Sequence, residues 1–234
     1  MEREALTALW KAFQEILAWQ DPDPRDILAF VYAHAAPNTV TLASSFGLED
    51  VLLLHWAAAI TPCPDVFCLD TGLLFPETYA LIETLKARYR FRLRRIAPSL
   101  TLAQQRATFG PELWRRDPDA CCRLRKVEPL GRALEGYAVW ITGIRREQTP
   151  ARRHAQWVEA DAATGRIKVN PLAHWTGARV RQAVEALGVP YNPLHDQGYP
   201  SLGCWPCTRP VRPGEDPRAG RWPGFAKTEC GIHQ

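Results

Sequence analysis

The chain has 234 residues, 46% of them hydrophobic and 23% charged, and a formal net charge of +4. That size suits one large α/β domain or two small ones, the composition is ordinary for a soluble globular protein, and so small a charge gives no argument for a nucleic-acid partner. The longest apolar stretch, Val51 to Ile60, is interrupted by His55 and falls short of the roughly 18 residues a membrane span needs.

In chain order, Leu6, Leu9, Trp10, Phe13, Ile16 and Leu17 recur with a helical period over residues 4–19. Asp21-Pro22-Asp23-Pro24 breaks that helix, and a second one is expected over about 25–35. Residues 1–38 therefore read as N-terminal helices without a chemical motif. The start, Met1-Glu2-Arg3-Glu4, lacks the basic-then-apolar pattern of a secretory signal, so a cytoplasmic location is expected. Thr39 to Ala43 reads as a short buried strand running into Ser44-Ser45-Phe46-Gly47, with an apolar helix from about Leu48. A second buried strand, Asp65 to Leu69, ends at Asp70-Thr71-Gly72. Pro76 opens a helix to about Tyr89, and Phe91 to Ile96 gives a third strand.

Cys121 to Glu135 is again helical but carries Pro129, which should kink or split it. Ala138 to Thr142 is a fourth strand, ending at Gly143, and a short strand pair follows near 156–158 and 166–169. Thr176 caps a helix carrying Val180, Val184 and Leu187, which Gly188 closes. The repeated alternation predicts a single-domain α/β fold, a mostly parallel sheet flanked by helices. After Pro210, the prolines and glycines at 213, 214, 217, 220, 223 and 224 leave no room for a long helix or strand. Residues 210–234 are expected to be a mobile tail on a nucleotide-binding body of residues 39–209.

Chemistry concentrates in the cysteines and at the strand ends. Reduced thiols in clusters more often signal metal or catalysis than structural disulfides. Cys121-Cys122 and Cys204-Trp205-Pro206-Cys207 supply four thiols. Neighbouring cysteines fit a small tetrahedral zinc poorly, whereas a [4Fe–4S] cluster spreads its irons and accepts them, so an iron–sulfur site is expected over zinc. Lys126 follows Cys122 by four residues, placing a cation beside the cluster and within reach of a bound anion. Cys230 is the candidate nucleophile, with Lys227, His233, Arg218 and Arg221 on the same tail to lower its pKa. Cys68 reads as core packing and Cys63 as a loop thiol. Three polar loops, 44–47, 70–72 and 142–146, end three strands at the sheet edge where open α/β folds bind ligands. The first leads into a helix N-terminus suited to an anion, although it lacks the Walker pattern.

Taken together, Ser44-Ser-Phe-Gly-Leu-Glu-Asp50, Leu69-Asp-Thr-Gly72, Pro76-Glu-Thr-Tyr79, Cys121-Cys-Arg-Leu-Arg-Lys-Val127, Thr142-Gly-Ile-Arg-Arg-Glu-Gln148, Asp196-Gln-Gly-Tyr199, Gly203-Cys-x-x-Cys207 and Lys227-Thr-Glu-Cys-Gly-Ile-His233 resemble the assimilatory adenylyl-sulfate (APS) reductases, relatives of the PAPS reductases. The resemblance covers about residues 39–234. It implies an adenine nucleotide alpha hydrolase-like fold and thioredoxin-dependent reduction of APS to sulfite and AMP in sulfate assimilation. Carried over by position, Cys230 would form an S-sulfonate, and Cys121, Cys122, Cys204 and Cys207 would ligate a [4Fe–4S] cluster. Ser44, Ser45, the loop amides through Phe46 and Gly47, Lys126, Arg153, Arg218, Arg221 and His233 would meet the substrate. Leu69, Thr71, Gly72 and Gly143 would line the adenosine pocket, with either Arg152 or Arg153 reaching the anion. Thioredoxin is the implied protein partner, and a homo-oligomer is expected, with neither nucleic acid nor membrane.

Three other readings draw on the same features. A PAPS or dual reductase differs only in the nucleotide, and the four paired cysteines favour APS. A tRNA sulfur-transfer enzyme would use the arginine density but prefers a Ser-Gly-Gly-x-Asp-Ser loop, which this chain lacks. A non-enzymatic iron–sulfur sensor leaves Cys230 and the strand-end loops without a purpose.

Overall fold

The computed structural model describes residues 3–233, with side chains from Leu6 onward; Met1, Glu2 and Gln234 lie outside the described residues. Helix α1 (Arg3–Phe13) tightens into a 3₁₀ turn over Gln14–Ala18, so the single expected helix ends in a narrower turn. Helix α2 (Pro24–His34) starts where the sequence stops the first: Asp23 accepts from the Arg25 amide at 2.8 Å, and Pro24 has no N–H to satisfy.

Strand β1 (Val40–Ala43), helix α3 (Leu48–Ile60), strand β2 (Asp65–Leu69), helix α4 (Pro76–Arg88) and strand β3 (Arg92–Ile96) follow in alternation. Three short helices come next: α5 (Leu102–Phe109), α6 (Leu113–Arg116) and α7 (Pro118–Cys122). A π turn over Arg123–Val127 joins α7 to α8 (Glu128–Ala133). Strand β4 (Val139–Ile141), strands β5 (Val158–Asp161) and β6 (Arg166–Val169) and helix α9 (Gly177–Ala186) complete the regular structure.

The six strands form one sheet in the order β3-β2-β1-β4-β6-β5, parallel except for β5. The chain moves outward from β1 through β2 to β3, then returns to the other side of β1 with β4. The order therefore reverses between β1 and β4, and a crevice opens beyond their carboxyl ends.

Strand alternation assigns the two faces. Leu42, Val66, Val139 and Ile141 enter the main core with α2 and α3, while Phe67 and Trp140 point the other way, onto Leu130 and Ala133 of α8. Helix α3 is apolar nearly all round because it is buried nearly all round: Val51, Leu52, Leu53 and Leu54 have no exposed surface. At about 2–3 kcal/mol for each fully buried leucine, this helix is a principal anchor of the body.

Pro129 behaves as its chemistry requires. It lacks an N–H, which frees the carbonyl four residues earlier, and the helix widens into the π turn just before it instead of breaking. Among the described residues no helix or strand follows residue 210, but that segment is docked. Thr208 pairs with Arg221, and Trp222, 3% exposed, packs on Leu73, Cys122, Cys204 and Cys207. No helix among the described residues is long and apolar enough to cross a membrane.

Candidate active site

The loop between β1 and α3 is bent by Phe46, a non-glycine residue at φ +61°, whose ring is 1% exposed in the main core. Core packing holds a backbone conformation that is unfavourable on its own. The bend turns the loop's donors inward. The Ser45 amide and hydroxyl both donate to Asp50 Oδ2, at 2.6 and 2.8 Å, and Ser44 Oγ accepts from the Phe46 amide at 3.1 Å. Asp50 is the third residue of α3 and acts as the helix's own N-terminal anion. The cradle expected for a substrate anion is thus filled by a carboxylate of the chain itself. Burial pushes the Asp50 carboxyl up to about 6, with the Glu49 charge adding to it, against the Ser45 and Gly47 donors.

Across the crevice, Gly143 follows β4 at a point where a side chain has no room. A Cβ there would lie 2.6 Å from Asp50 Oδ1 and 2.7 Å from Glu49 Cβ. Arg145 is occupied in the scaffold: its Nε donates to Glu49 Oε1 at 2.7 Å and its guanidinium also pairs with Glu147. Gln148 Nε2 adds a 3.2 Å contact to the same Glu49 oxygen.

Above these loops lies a cavity of about 250 Å³. Of the residues singled out from sequence, Ser44, Ser45, Gly47, Leu69 and Gly143 line its strand-end side. The π turn and the tail contribute Lys126, Arg218, Arg221, Cys230 and His233. Four others are placed elsewhere. Phe46 is core. Thr71 turns its hydroxyl to Cys204 Sγ at 3.3 Å, and Gly72, at φ +70°, abuts Arg125 and Leu102, so both belong to the cysteine layer. Arg153 is exposed and donates to His154 Nε2 at 2.8 Å, whereas Arg152 faces the cavity. The neighbouring arginines are separated by the 3₁₀ turn Pro150–Arg152, which points successive side chains apart.

Cys230 is half-buried in the cavity wall. Burial acts to raise its pKa, but Lys126, the Ile232 amide, Arg221 and Arg152 together hold the thiol below its ordinary value. Burial likewise works against the Lys126 charge, and the Cys204 and Cys230 sulfurs overcome it, so the ammonium is retained. The tail reaches this position through Glu229, 7% exposed. Its Oε1 accepts from Thr149 Oγ1 and Arg152 Nε, both at 2.7 Å, and its Oε2 from Arg152 at 2.5 Å. Arg218 donates to the Thr228 carbonyl at 2.8 Å, Lys227 pairs with Asp119, and the His233 ring stacks on Trp140 with centroids 5.5 Å apart.

Beside this cavity is a second, tight one, lined by Cys121, Cys122, Cys204, Cys207, Arg125 and Lys126 among others. All four thiols are buried, and burial raises Cys121 to about 12 and Cys207 to about 11. Lys126 borders both cavities. Arg125, 3% exposed, braces the layer by donating to the Thr71 carbonyl at 2.6 Å and to Gln105 at 2.9 Å. Gly203 lets the Arg221 guanidinium pack against the backbone, since a Cβ there would lie 2.2 Å from it and displace it. Among the described residues no group of three or more His, Cys, Asp or Glu side chains is gathered to hold a single metal ion. The donor set is four soft thiols beside Arg125, Lys126 and Arg221, which suits zinc or an iron–sulfur group and not a hard cation such as magnesium or calcium.

Sequence reasoning left Arg152 as an alternative to Arg153 and did not single out Asp50, Glu229 or Trp140. Asp50 and Glu229 carried a signal, an acid just inside a helix start and an acid beside the candidate nucleophile. Trp140 had none, because a strand tryptophan reads equally as core.

Comparison with known proteins gives concordant results. The profile described as phosphoadenosine phosphosulfate reductase domain matches residues 39–210. An adenosine 5'-phosphosulfate reductase of Geobacillus kaustophilus is 47% identical over 209 residues, 89% of this chain and 88% of the relative. A phosphoadenosine 5'-phosphosulfate reductase of Gloeobacter violaceus is also 47% identical, covering 92% of this chain and 90% of its own. Among solved structures, the phosphoadenylyl-sulfate reductase of Candida auris in its phosphate complex superposes with a TM-score of 0.70 at 27% identity, over 89% of this chain and 98% of that one.

Proposed function

The chain belongs to the phosphoadenosine phosphosulfate reductase family, and from that premise we propose that it reduces adenosine 5'-phosphosulfate to sulfite and AMP with electrons from a thioredoxin dithiol. The observation that carries the reading is the convergence of Cys230 with Lys126, Arg218 and Arg221 on one cavity at the strand-order reversal.

The Cys230 thiolate attacks the sulfonyl sulfur, a carbon-bound S–S bond forms, and the sulfur–oxygen bond to phosphate breaks with AMP carrying the electron pair. Thiolate and phosphosulfate repel each other, so the barrier is lowered by cations fixed where charge moves to the leaving phosphate. The Arg218 and Arg221 Nε groups are buried donors with no partner among the described residues, ready for such an anion. The docked tail supplies alignment and keeps water from the sulfonyl group. One thioredoxin thiolate then attacks Cys230 Sγ and sulfite departs with the S–S electron pair. The second thioredoxin thiol resolves the mixed disulfide, returning Cys230 as thiolate and leaving an oxidised thioredoxin. Two electrons enter and two leave.

Cys121, Cys122, Cys204 and Cys207 would hold a [4Fe–4S] cluster. When bound, it would set the field at Lys126 and fix that ammonium toward the substrate, since thiol exchange already accounts for both electrons. For an anion to sit where the Ser45 donors are taken by Asp50 is unfavourable, so the phosphosulfate belongs at the Lys126, Arg218 and Arg221 side.

The test is sulfite release from the purified protein with reduced thioredoxin, supplied in parallel with the 3'-hydroxyl and 3'-phosphate nucleotides. Release from the former, abolished in Cys230→Ser, is expected. Equal turnover of both nucleotides would make the protein a dual reductase, and no sulfite from either would end the proposal.

A further inference from the structure

Eight buried side-chain polar atoms among the described residues have no hydrogen-bond partner, and four belong to residues that line the main cavity: Arg218 Nε, Arg221 Nε, His233 Nδ1 and His195 Nε2. The arginine donors are accounted for by an anion, and His233 caps Trp140. His195 has no part in the chemistry above. It sits on a 3₁₀ turn, Pro193–Gln197, that its surroundings hold rigidly. Asn192, fully buried, accepts from the Leu194 amide at 3.0 Å and donates to Thr78 Oγ1 at 3.1 Å.

His195 Nδ1 lies 2.8 Å from the Tyr199 carbonyl oxygen. A carbonyl only accepts, so Nδ1 carries the proton, and in the neutral ring Nε2 is left as a lone-pair acceptor. Burial holds the ring neutral by lowering its pKa, with the nearby Glu49 charge opposing. Glu49 and Asp50 line the same cavity. Glu49 is already paired with Arg145 and Asp50 Oδ2 already accepts from Ser45, so the acceptor left without a partner in this part of the cavity is His195 Nε2.

We propose that His195 Nε2 accepts a hydrogen bond from the ribose 3'-hydroxyl of the bound nucleotide and so selects the substrate bearing a free 3'-hydroxyl over the one bearing a 3'-phosphate. This rests on the function proposed above. A phosphate at that position, mostly dianionic at neutral pH, offers no such hydroxyl and brings charge toward Asp50, so it is disfavoured twice. The hydroxyl is favoured by a buried acceptor that is otherwise unsatisfied, the arrangement that gives a polar site its strongest discrimination. The ribose 2'-hydroxyl and the amino group of the base are the other donors a nucleotide carries; the strand-end backbone near Leu69 and Gly143 offers carbonyls for the amino group, and only the 3'-hydroxyl distinguishes the two candidate nucleotides.

Calorimetric affinities of AMP, 3'-deoxy-AMP, inosine 5'-monophosphate and adenosine 3',5'-bisphosphate test this with wild type, His195→Leu and His195→Gln. Wild type should bind AMP about tenfold tighter than 3'-deoxy-AMP, a difference of ~1.4 kcal/mol, and tighter still than the bisphosphate. His195→Leu should weaken AMP to the level of 3'-deoxy-AMP while leaving 3'-deoxy-AMP unchanged, and His195→Gln, which keeps a distal acceptor, should recover most of the loss. Equal weakening of AMP and 3'-deoxy-AMP in His195→Leu would overturn the proposal. So would loss of discrimination against inosine monophosphate, or against 2'-deoxy-AMP measured in the same series, since the histidine would then be reading the base or the 2'-hydroxyl. If wild type binds no adenine nucleotide at all, the reductase reading itself falls, a result distinct from either.

Discussion

Replacing Glu229 by glutamine keeps the side chain's shape and removes the charge that holds the tail over the cavity. The carboxylate is 7% exposed and engages Thr149 Oγ1 and two Arg152 nitrogens, with Arg218 at 3.9 Å. A hydrogen bond to a charged group contributes about 1.5–3 kcal/mol, and glutamine retains one acceptor oxygen. The net loss is therefore about 2–3 kcal/mol. Because Glu229 lies on the tail and its partners lie on the body or near the cavity, that loss falls on tail docking and not on the sheet. A shift of that size raises the undocked population roughly 30- to 150-fold. Hydrogen exchange at the amides of residues 228–232, read by mass spectrometry, should accelerate by that factor, while exchange in the strands stays unchanged. Thr149→Val removes one contact of the same carboxylate and, at the low end of that range, about 1.5 kcal/mol, should give roughly a tenfold acceleration. Tail exchange unchanged in Glu229→Gln, or a larger effect from Thr149→Val, would show that this carboxylate does not hold the tail.

The raised Asp50 pKa makes a prediction with a definite sign. A folded-state value of about 6 against 3.8 means that the folded protein holds this proton more tightly than the unfolded chain, so ionisation costs stability above about pH 6 and the cost disappears toward pH 4. In urea unfolding, Asp50→Asn should be more stable than wild type at pH 8 by up to about 3 kcal/mol, the gap closing by about pH 4; a pH-independent difference would contradict it. Gly143→Ala places a methyl 2.6 Å from Asp50 Oδ1 and should destabilise by about 1–3 kcal/mol in the same assay, whereas an unchanged midpoint would show that the crevice yields. Cys204→Ser should lower protein-bound iron and sulfide in anaerobically purified protein, and wild-type levels in that variant would remove Cys204 from the ligand set.

Strand and helix order was legible because the buried strands are short apolar runs and the intervening helices carry caps or prolines at their ends. Thr176 caps α9, whose apolar side carries Val180 and Val184, as its spacing predicts. Boundaries moved by a residue or two, most visibly where the strand expected near 156–158 begins at Val158. Local pattern cannot see which way a side chain turns after a loop bends. Ser44 and Ser45 both line the cavity, but the Ser45 donors are taken by Asp50, five residues on, and the Ser44 amide by the Phe67 carbonyl. Thr71 and Gly72 looked equivalent to the other strand-end loops, and only the packing of Cys204 against Thr71 assigns them to the thiol layer. Arg152 and Arg153 could not be separated by sequence because the choice depends on a 3₁₀ turn. His195 was invisible as a site residue: a lone histidine acquires meaning only when one ring nitrogen is seen to be committed and the other left bare.

The central claim is that Cys230 becomes the carrier of the sulfonyl group, and intact mass after incubation with adenosine 5'-phosphosulfate, without thioredoxin, tests it most directly. The account predicts a gain of one SO₃ unit that maps to the Cys230 peptide, is discharged by a dithiol with release of sulfite, and is absent in Cys230→Ser. Sulfite formation with no adduct on the way, or an adduct that persists in the serine variant, would contradict it.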